Sequence, residues 1–134
     1  MGKVAAIDFG LKRIGIALSD ERKVIALPFE TVEGGKSAVQ NVAKALKGQK
    51  IDKVIVGLPL LLNGKKGDMA ILVERFAIEL EKELLSPVAL FDERLSSKGA
   101  EQRLREMPMS RKERAKRLDS TAAAILLQSY LEMQ

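Results

Sequence analysis

The chain contains no cysteine and no histidine. Without cysteine there are no disulfides and no thiolate metal sites, which fits a cytoplasmic protein. Without histidine, any general acid or base must be a carboxylate, a lysine or a tyrosine. Any metal site must then be built from oxygen, which suits Mg²⁺, Mn²⁺ or Ca²⁺ rather than zinc. Aromatics are few: Phe9, Phe29, Phe76, Phe91 and Tyr130. Most fall on apolar faces, so no stacking platform for single-stranded bases is in view. No apolar run approaches the roughly 18 to 20 residues that would span a bilayer. Met1-Gly2-Lys3-Val4 runs directly into a strand-like segment, so no signal peptide and no membrane association are expected.

What is present is enough for one domain spanning 1–134, at 46% hydrophobic residues. The net charge is +5, unevenly spread. Residues 1–97 carry 15 Lys/Arg against 13 Asp/Glu, residues 98–117 carry 8 against 3, and the last 17 carry none against 2. A basic segment beside a balanced body suits a polyanionic partner, with a solvated helix face as the alternative.

The first third reads as three strands. Val4–Phe9 is a short apolar run. Arg13–Ser19 alternates Ile14, Ile16 and Leu18 with small residues. Val24–Val32 is a third stretch, in which Pro28 marks an edge or a bulge. The period then changes. Ser37 can cap a helix carrying Val39, Val42, Ala43 and Leu46. Lys53–Leu58 is a buried parallel strand. Asp68 is the expected cap of a helix whose apolar side is Leu72, Val73, Phe76, Leu80 and Leu84. Pro87–Phe91 is a fifth strand, and Ser96 or Ser97 caps a short helix to about Arg105. Ser110 to Glu113 is a capping box for a last helix with Ala122, Ala123, Leu126, Leu127, Tyr130 and Met133 inward. The order β-β-β-α-β-α-β-α-α predicts an α/β fold: a mixed five-stranded sheet, three antiparallel strands then parallel ones, flanked by helices. A ribonuclease H-like sheet has this order.

Ligands of open α/β sheets gather beyond the carboxyl ends of parallel strands. Asp8 ends the first strand, Asp92 and Glu93 end the fifth, and Asp119 lies before or within the start of the last helix. A lone Asp after a strand is usually a turn residue. Asp8, however, lies inside an apolar run, where an uncompensated carboxylate is costly. Converging carboxylates repel, and Mg²⁺ or Mn²⁺ would hold them ionised. Such ions also activate water and stabilise the leaving oxygen of an in-line phosphoryl displacement. Period-two geometry lets only one of Asp92 and Glu93 face the first strand. Lys12, Arg13, Arg94 and Ser96 are candidates for holding the scissile phosphate, with an ion pair to a nearby acid as the alternative for each arginine. Arg103, Arg111, Lys112 and Arg114 are candidates for a nucleic-acid backbone.

Four segments in order resemble the YqgF/RuvX-type Holliday-junction-resolvase-like family. They are Asp8-Phe9-Gly10-Leu11-Lys12-Arg13-Ile14-Gly15-Ile16-Ala17, Gly57-Leu58-Pro59-Leu60, Asp92-Glu93-Arg94-Leu95-Ser96-Ser97, and Asp119-Ser120-Thr121-Ala122-Ala123 with Ile125–Leu131 behind it. The resemblance spans essentially the whole chain. It implies a ribonuclease H-like fold and a metal-dependent nuclease, with Asp8, Glu93 and Asp119 as the acidic metal-binding set. It also implies a cytoplasmic protein that acts in maturing the 5′ end of pre-16S rRNA, with structured RNA or pre-ribosomal particles as partners. The older reading of the family is cleavage of branched DNA junctions. Junction resolvases carry an acid at the end of the fourth strand. Here that place reads Gly57-Leu58-Pro59, which leaves the fifth strand to supply it and favours RNA processing. The following loop also departs from the family in its run Leu60-Leu61-Leu62. Two other readings are a non-catalytic nucleic-acid-binding module of this fold and an actin-like or sugar-kinase-like ATPase. The latter needs two such domains. Leu61, Leu62 and the far face of the last helix are candidates for a homodimer contact, with a monomer as the alternative.

Overall fold

The computed structural model describes residues 2–107 and 111–134, and for 111–121 the helical backbone alone. The expected order holds: β1 Lys3–Asp8, β2 Arg13–Ser19, β3 Ala26–Glu33, α1 Ala38–Leu46, β4 Ile51–Leu58, α2 Asp68–Leu84, β5 Val88–Asp92, α3 Lys98–Glu106 and α4 Arg111–Glu132. The strands form one sheet in the order β3-β2-β1-β4-β5. β1–β2 and β2–β3 are antiparallel, and β1–β4 and β4–β5 are parallel. Pro28 lies on the edge strand and beside the register shift between Ile16 and Ala17, so it marks both an edge and an irregularity.

Alternation along the strands builds two cores. Ala5, Ile7, Ile14, Ile16, Leu18, Val54 and Val56 face α1 and α2. Val4, Ala6, Ala17, Ile55 and Phe91 face Leu104 of α3 and the apolar side of α4. Asp8 continues the Val4–Ala6 side of β1, which points it towards α4. Polar links fix α4 on that face. The buried Gln128 accepts from Ala26 N–H (2.8 Å) and donates to Val24 O (3.2 Å). Ser129 Oγ accepts from Ser97 N–H at 3.0 Å, just where Ser97 caps α3 by accepting from Ala100 N–H at 2.9 Å.

Several expectations are corrected. β3 starts at Ala26 rather than Val24, because Asp20 Oδ1 takes the N–H groups of Val24 and Ile25 in a turn (2.8 and 3.0 Å). Gly67, not Asp68, is the cap position of α2, and Asp68 is the first helical residue. Leu72 stands 39% exposed while Ala70 and Ala77 are buried. On α4, Ala122 is exposed and Ala124 and Leu131 are buried, and Met133 is exposed just past the helix end. The capping box at Ser110 lies outside the described residues. No helix among the described residues is long and apolar enough to cross a membrane.

Candidate active site

Asp8 ends β1 one residue past the Ile7–Val56 pair, and Gly57 stands one residue past the same pair on β4. On its other side Gly57 pairs with Phe91 of β5. β5 stops at Asp92, and Glu93–Leu95 coils into a 3₁₀ turn. Asp92 caps that turn, its Oδ1 accepting from Arg94 N–H at 2.9 Å. The Arg94 guanidinium then binds the same carboxylate through Nε (3.0 Å) and Nη2 (2.7 Å). Asp92 is thereby turned to the outer surface, while Glu93 reaches back over β4. A Cβ on Gly57 would stand 2.6 Å from Glu93 Oε1, 2.9 Å from its Cγ and 3.0 Å from Leu126 Cδ2. Only glycine leaves room for the Glu93 side chain to cross the strand end.

Asp8 and Glu93 share a cavity of about 240 Å³ with Ser96, Ala122, Ile125 and Leu126. Burial among these apolar side chains raises the Asp8 carboxyl above its ordinary range. Glu93 is raised as well, first by burial and then by the negative charges of Asp8 and Asp92. Asp92 is lowered, chiefly by the hydrogen bond from the Arg94 side chain. Among the described residues neither Asp8 nor Glu93 has an ion-pair partner. The centre thus brings two carboxylates to one half-apolar cavity, where each raises the cost of ionising the other.

Of the other expected site residues, Ser96 lines the cavity, its N–H donating to Glu93 O at 3.1 Å. Lys12 stands exposed in the turn after β1 and Arg13 at the start of β2, and Arg94 is exposed but engaged with Asp92. Arg103 is held by Glu132 near the end of α4, its Nε donating at 2.6 Å. Asp119, Arg111, Lys112 and Arg114 fall on α4, with side chains outside the described residues. Among the described residues no three acidic side chains gather around one point. The expectations did not give Gly57 its part as the floor beneath Glu93. Its one signal is a glycine ending an apolar strand, which often marks a close approach.

Against known proteins, the family described as RuvX, Holliday junction resolvase, matches residues 2–133. A relative from Protochlamydia amoebophila that bears the name "Putative pre-16S rRNA nuclease" is 43% identical over 139 residues, covering 97% of this chain and 93% of its own. A relative of the same name from Geobacillus kaustophilus is 39% identical over 134 residues, covering 97% of each. Among solved structures, Thermus thermophilus RuvC bound to a Holliday junction substrate superposes with a TM-score of 0.59 at 17% identity, covering 99% of this chain and 96% of that one. The fowlpox virus Holliday junction resolvase gives 0.60 at 17%, covering 98% of each. At such identities these structures speak for the fold alone, which is ribonuclease H-like.

Proposed function

The chain belongs to the RuvX Holliday junction resolvase family, and from that premise we propose a metal-dependent nuclease that cuts phosphodiester bonds in 5′-end maturation of pre-16S rRNA, in the cytoplasm. The name shared by its relatives supports the substrate. The observation that carries the chemistry is the convergence of Asp8 and Glu93 on one cavity across Gly57. The oxygen donors of Asp8, Glu93 and Ser96 on one cavity wall, with no ion-pair partner for either carboxylate among the described residues, fit a hard divalent cation, Mg²⁺ or Mn²⁺. Asp8 and Glu93 would hold it. Asp119 would join them, since it precedes Ala122 and Leu126 by three and seven residues, in helical step with both. When bound, the cation supplies charge stabilisation for the phosphoryl oxygens and a more acidic water.

The chain's own groups do the rest. Lys12 and Arg13 hold phosphates at the mouth of the site, and the Ser96 hydroxyl is placed to donate to a phosphoryl oxygen. Glu93, as a ligand of the cation, would orient the attacking water; as the water oxygen bonds to phosphorus its proton would pass to solvent, and the bond to the leaving ribose oxygen would break with that oxygen taking a proton from solvent. A strand-four carboxylate has no room in this arrangement, because Glu93 already occupies the space above Gly57.

The test offers the purified protein, with Mg²⁺ or Mn²⁺, a pre-16S rRNA fragment and a four-way DNA junction side by side. Cleavage of the RNA, lost on chelation, is expected. Asp8→Asn should lower it about 10³-fold. Gly57→Ala, which displaces Glu93, should lower it about 10- to 100-fold with an unchanged circular dichroism spectrum. RNA cleavage that survives Asp8→Asn would overturn the site. Cutting of the junction alone would overturn the substrate in favour of a resolvase.

A further inference from the structure

Four leucines stand in solvent in the segments that follow the carboxyl ends of β1, β4 and β5, the end of the sheet that carries Asp8 and Glu93: Leu11 (62% exposed), Leu61 (50%), Leu62 (100%) and Leu95 (47%). The most exposed of them tips a small hairpin between β4 and α2. Leu60 and Lys66 form its bridge, and Leu61 N–H donates to Lys65 O at 2.9 Å. Gly64 N–H closes the turn on Leu61 O at 2.8 Å, and Lys65 N–H donates to Asn63 Oδ1 at 2.9 Å. The hairpin is anchored three ways. Leu60 packs into the α1–α2 core. Lys66 pairs with Glu74 at 2.6 Å. Arg94, held by Asp92, lies against Gly64, whose missing Cβ would be 3.7 Å from Nη1. The same Asp92 that caps the Glu93 turn therefore also braces the hairpin.

Lys12 and Arg13 follow Leu11 in the chain and Lys65 belongs to the hairpin itself, and none of the three has an ion pair among the described residues. The core of a protein–protein interface is depleted in charged residues, lysine among them. Apolar tips set among cations instead match a nucleic acid, with the cations on phosphates and the tip between bases. Prying bases apart costs least where a stack is already unpaired on one side. We propose that Leu62 is a wedge that inserts into RNA where a paired stem meets a single strand, setting which phosphate lies over Asp8 and Glu93. This rests on the nucleic-acid reading above and deepens it.

The experiment uses the full chain in chelator, so that binding is read without cleavage. The probes are an RNA stem with a single-stranded extension, carrying 2-aminopurine at the step between them, and a blunt stem of equal nucleotide count. Wild type should bind the extended stem more tightly and raise its fluorescence. Leu62→Ser should abolish the rise and weaken that probe about tenfold, leaving the blunt stem unchanged, while Leu62→Phe should keep the rise. Equal affinities of wild type and Leu62→Ser on both probes would overturn the wedge. So would an equal loss on both, or a dimer in sedimentation that Leu62→Ser dissociates. A Leu62-dependent preference in a protein that never cuts RNA with metal would sink the nuclease and leave the wedge. RNA cutting with no such preference would do the reverse.

Discussion

Asp8 is a carboxylate that its fold keeps reluctant to ionise, and this has a measurable consequence. An unfolded Asp titrates near 3.9, and burial raises Asp8 above its ordinary value in the native state. Between the two values the native state holds more protons than the unfolded one, so stability falls as pH rises through that window. At pH 7 the metal-free protein carries the whole cost. Asp8→Asn removes it, so the variant should melt higher than wild type at pH 7. At pH 3, where the acid is protonated in both states, the two should coincide. Added Mg²⁺ or Mn²⁺ at pH 7 should raise the wild-type melting temperature and leave the variant almost unmoved. A variant less stable than wild type at pH 7 would mean that Asp8 is stabilised by something other than a cation. Asp8 could be found in the sequence because an acid inside an apolar run is costly. The choice between Asp92 and Glu93 could not be made that way. Period-two reasoning assumes that the strand continues, whereas β5 ends at Asp92 and a 3₁₀ turn re-aims Glu93.

At the scale of elements, α4 is the piece that closes the site, and its seat on the sheet is partly polar. Gln128 sits in the middle of an apolar stripe, buried to 6% exposure. It satisfies Ala26 N–H at the start of β3 and donates to Glu132 Oε2 at 3.0 Å. Gln128→Leu would leave a buried donor without a partner, at a cost of about 1–3 kcal/mol. The expected reading is a lower urea midpoint at unchanged slope. An unchanged midpoint would mean that α4 is held by its apolar contacts alone. Hydrophobic periodicity was enough to place five strands and four helices in order, since each element buries a clear face. It misjudged individual positions where small residues do the packing. Ala70 and Ala77 let α2 approach the sheet closely, which leaves Leu72 at the margin. A glutamine that caps another strand's backbone has no periodic signature, so Gln128 could not be foreseen.

For the molecule as a whole, the question is which of its surplus positive charges reach a nucleic acid. Composition pointed to the basic segment 98–117. In the folded chain two of its arginines are already engaged, Arg103 with Glu132 and Arg105 with Glu101. Sequence charge cannot reveal this, because Glu132 lies 29 positions from Arg103 and meets it only when α3 packs on α4. Lys12 and Arg13 instead lie at the end of the sheet where β1 finishes in Asp8 and β2 begins, unpaired among the described residues. Affinity for RNA falls with salt in proportion to the number of phosphates neutralised, by about 0.7 to 0.9 in log–log slope for each. Binding of the blunt RNA stem from 50 to 300 mM KCl should therefore lose about that much slope in Arg13→Ser. The slope should stay at the wild-type value in Arg103→Ser, whose charge is spent on Glu132. If Arg103→Ser flattens the slope and Arg13→Ser does not, the RNA path runs over the α3–α4 face, and the phosphate-holding role given to Arg13 is lost.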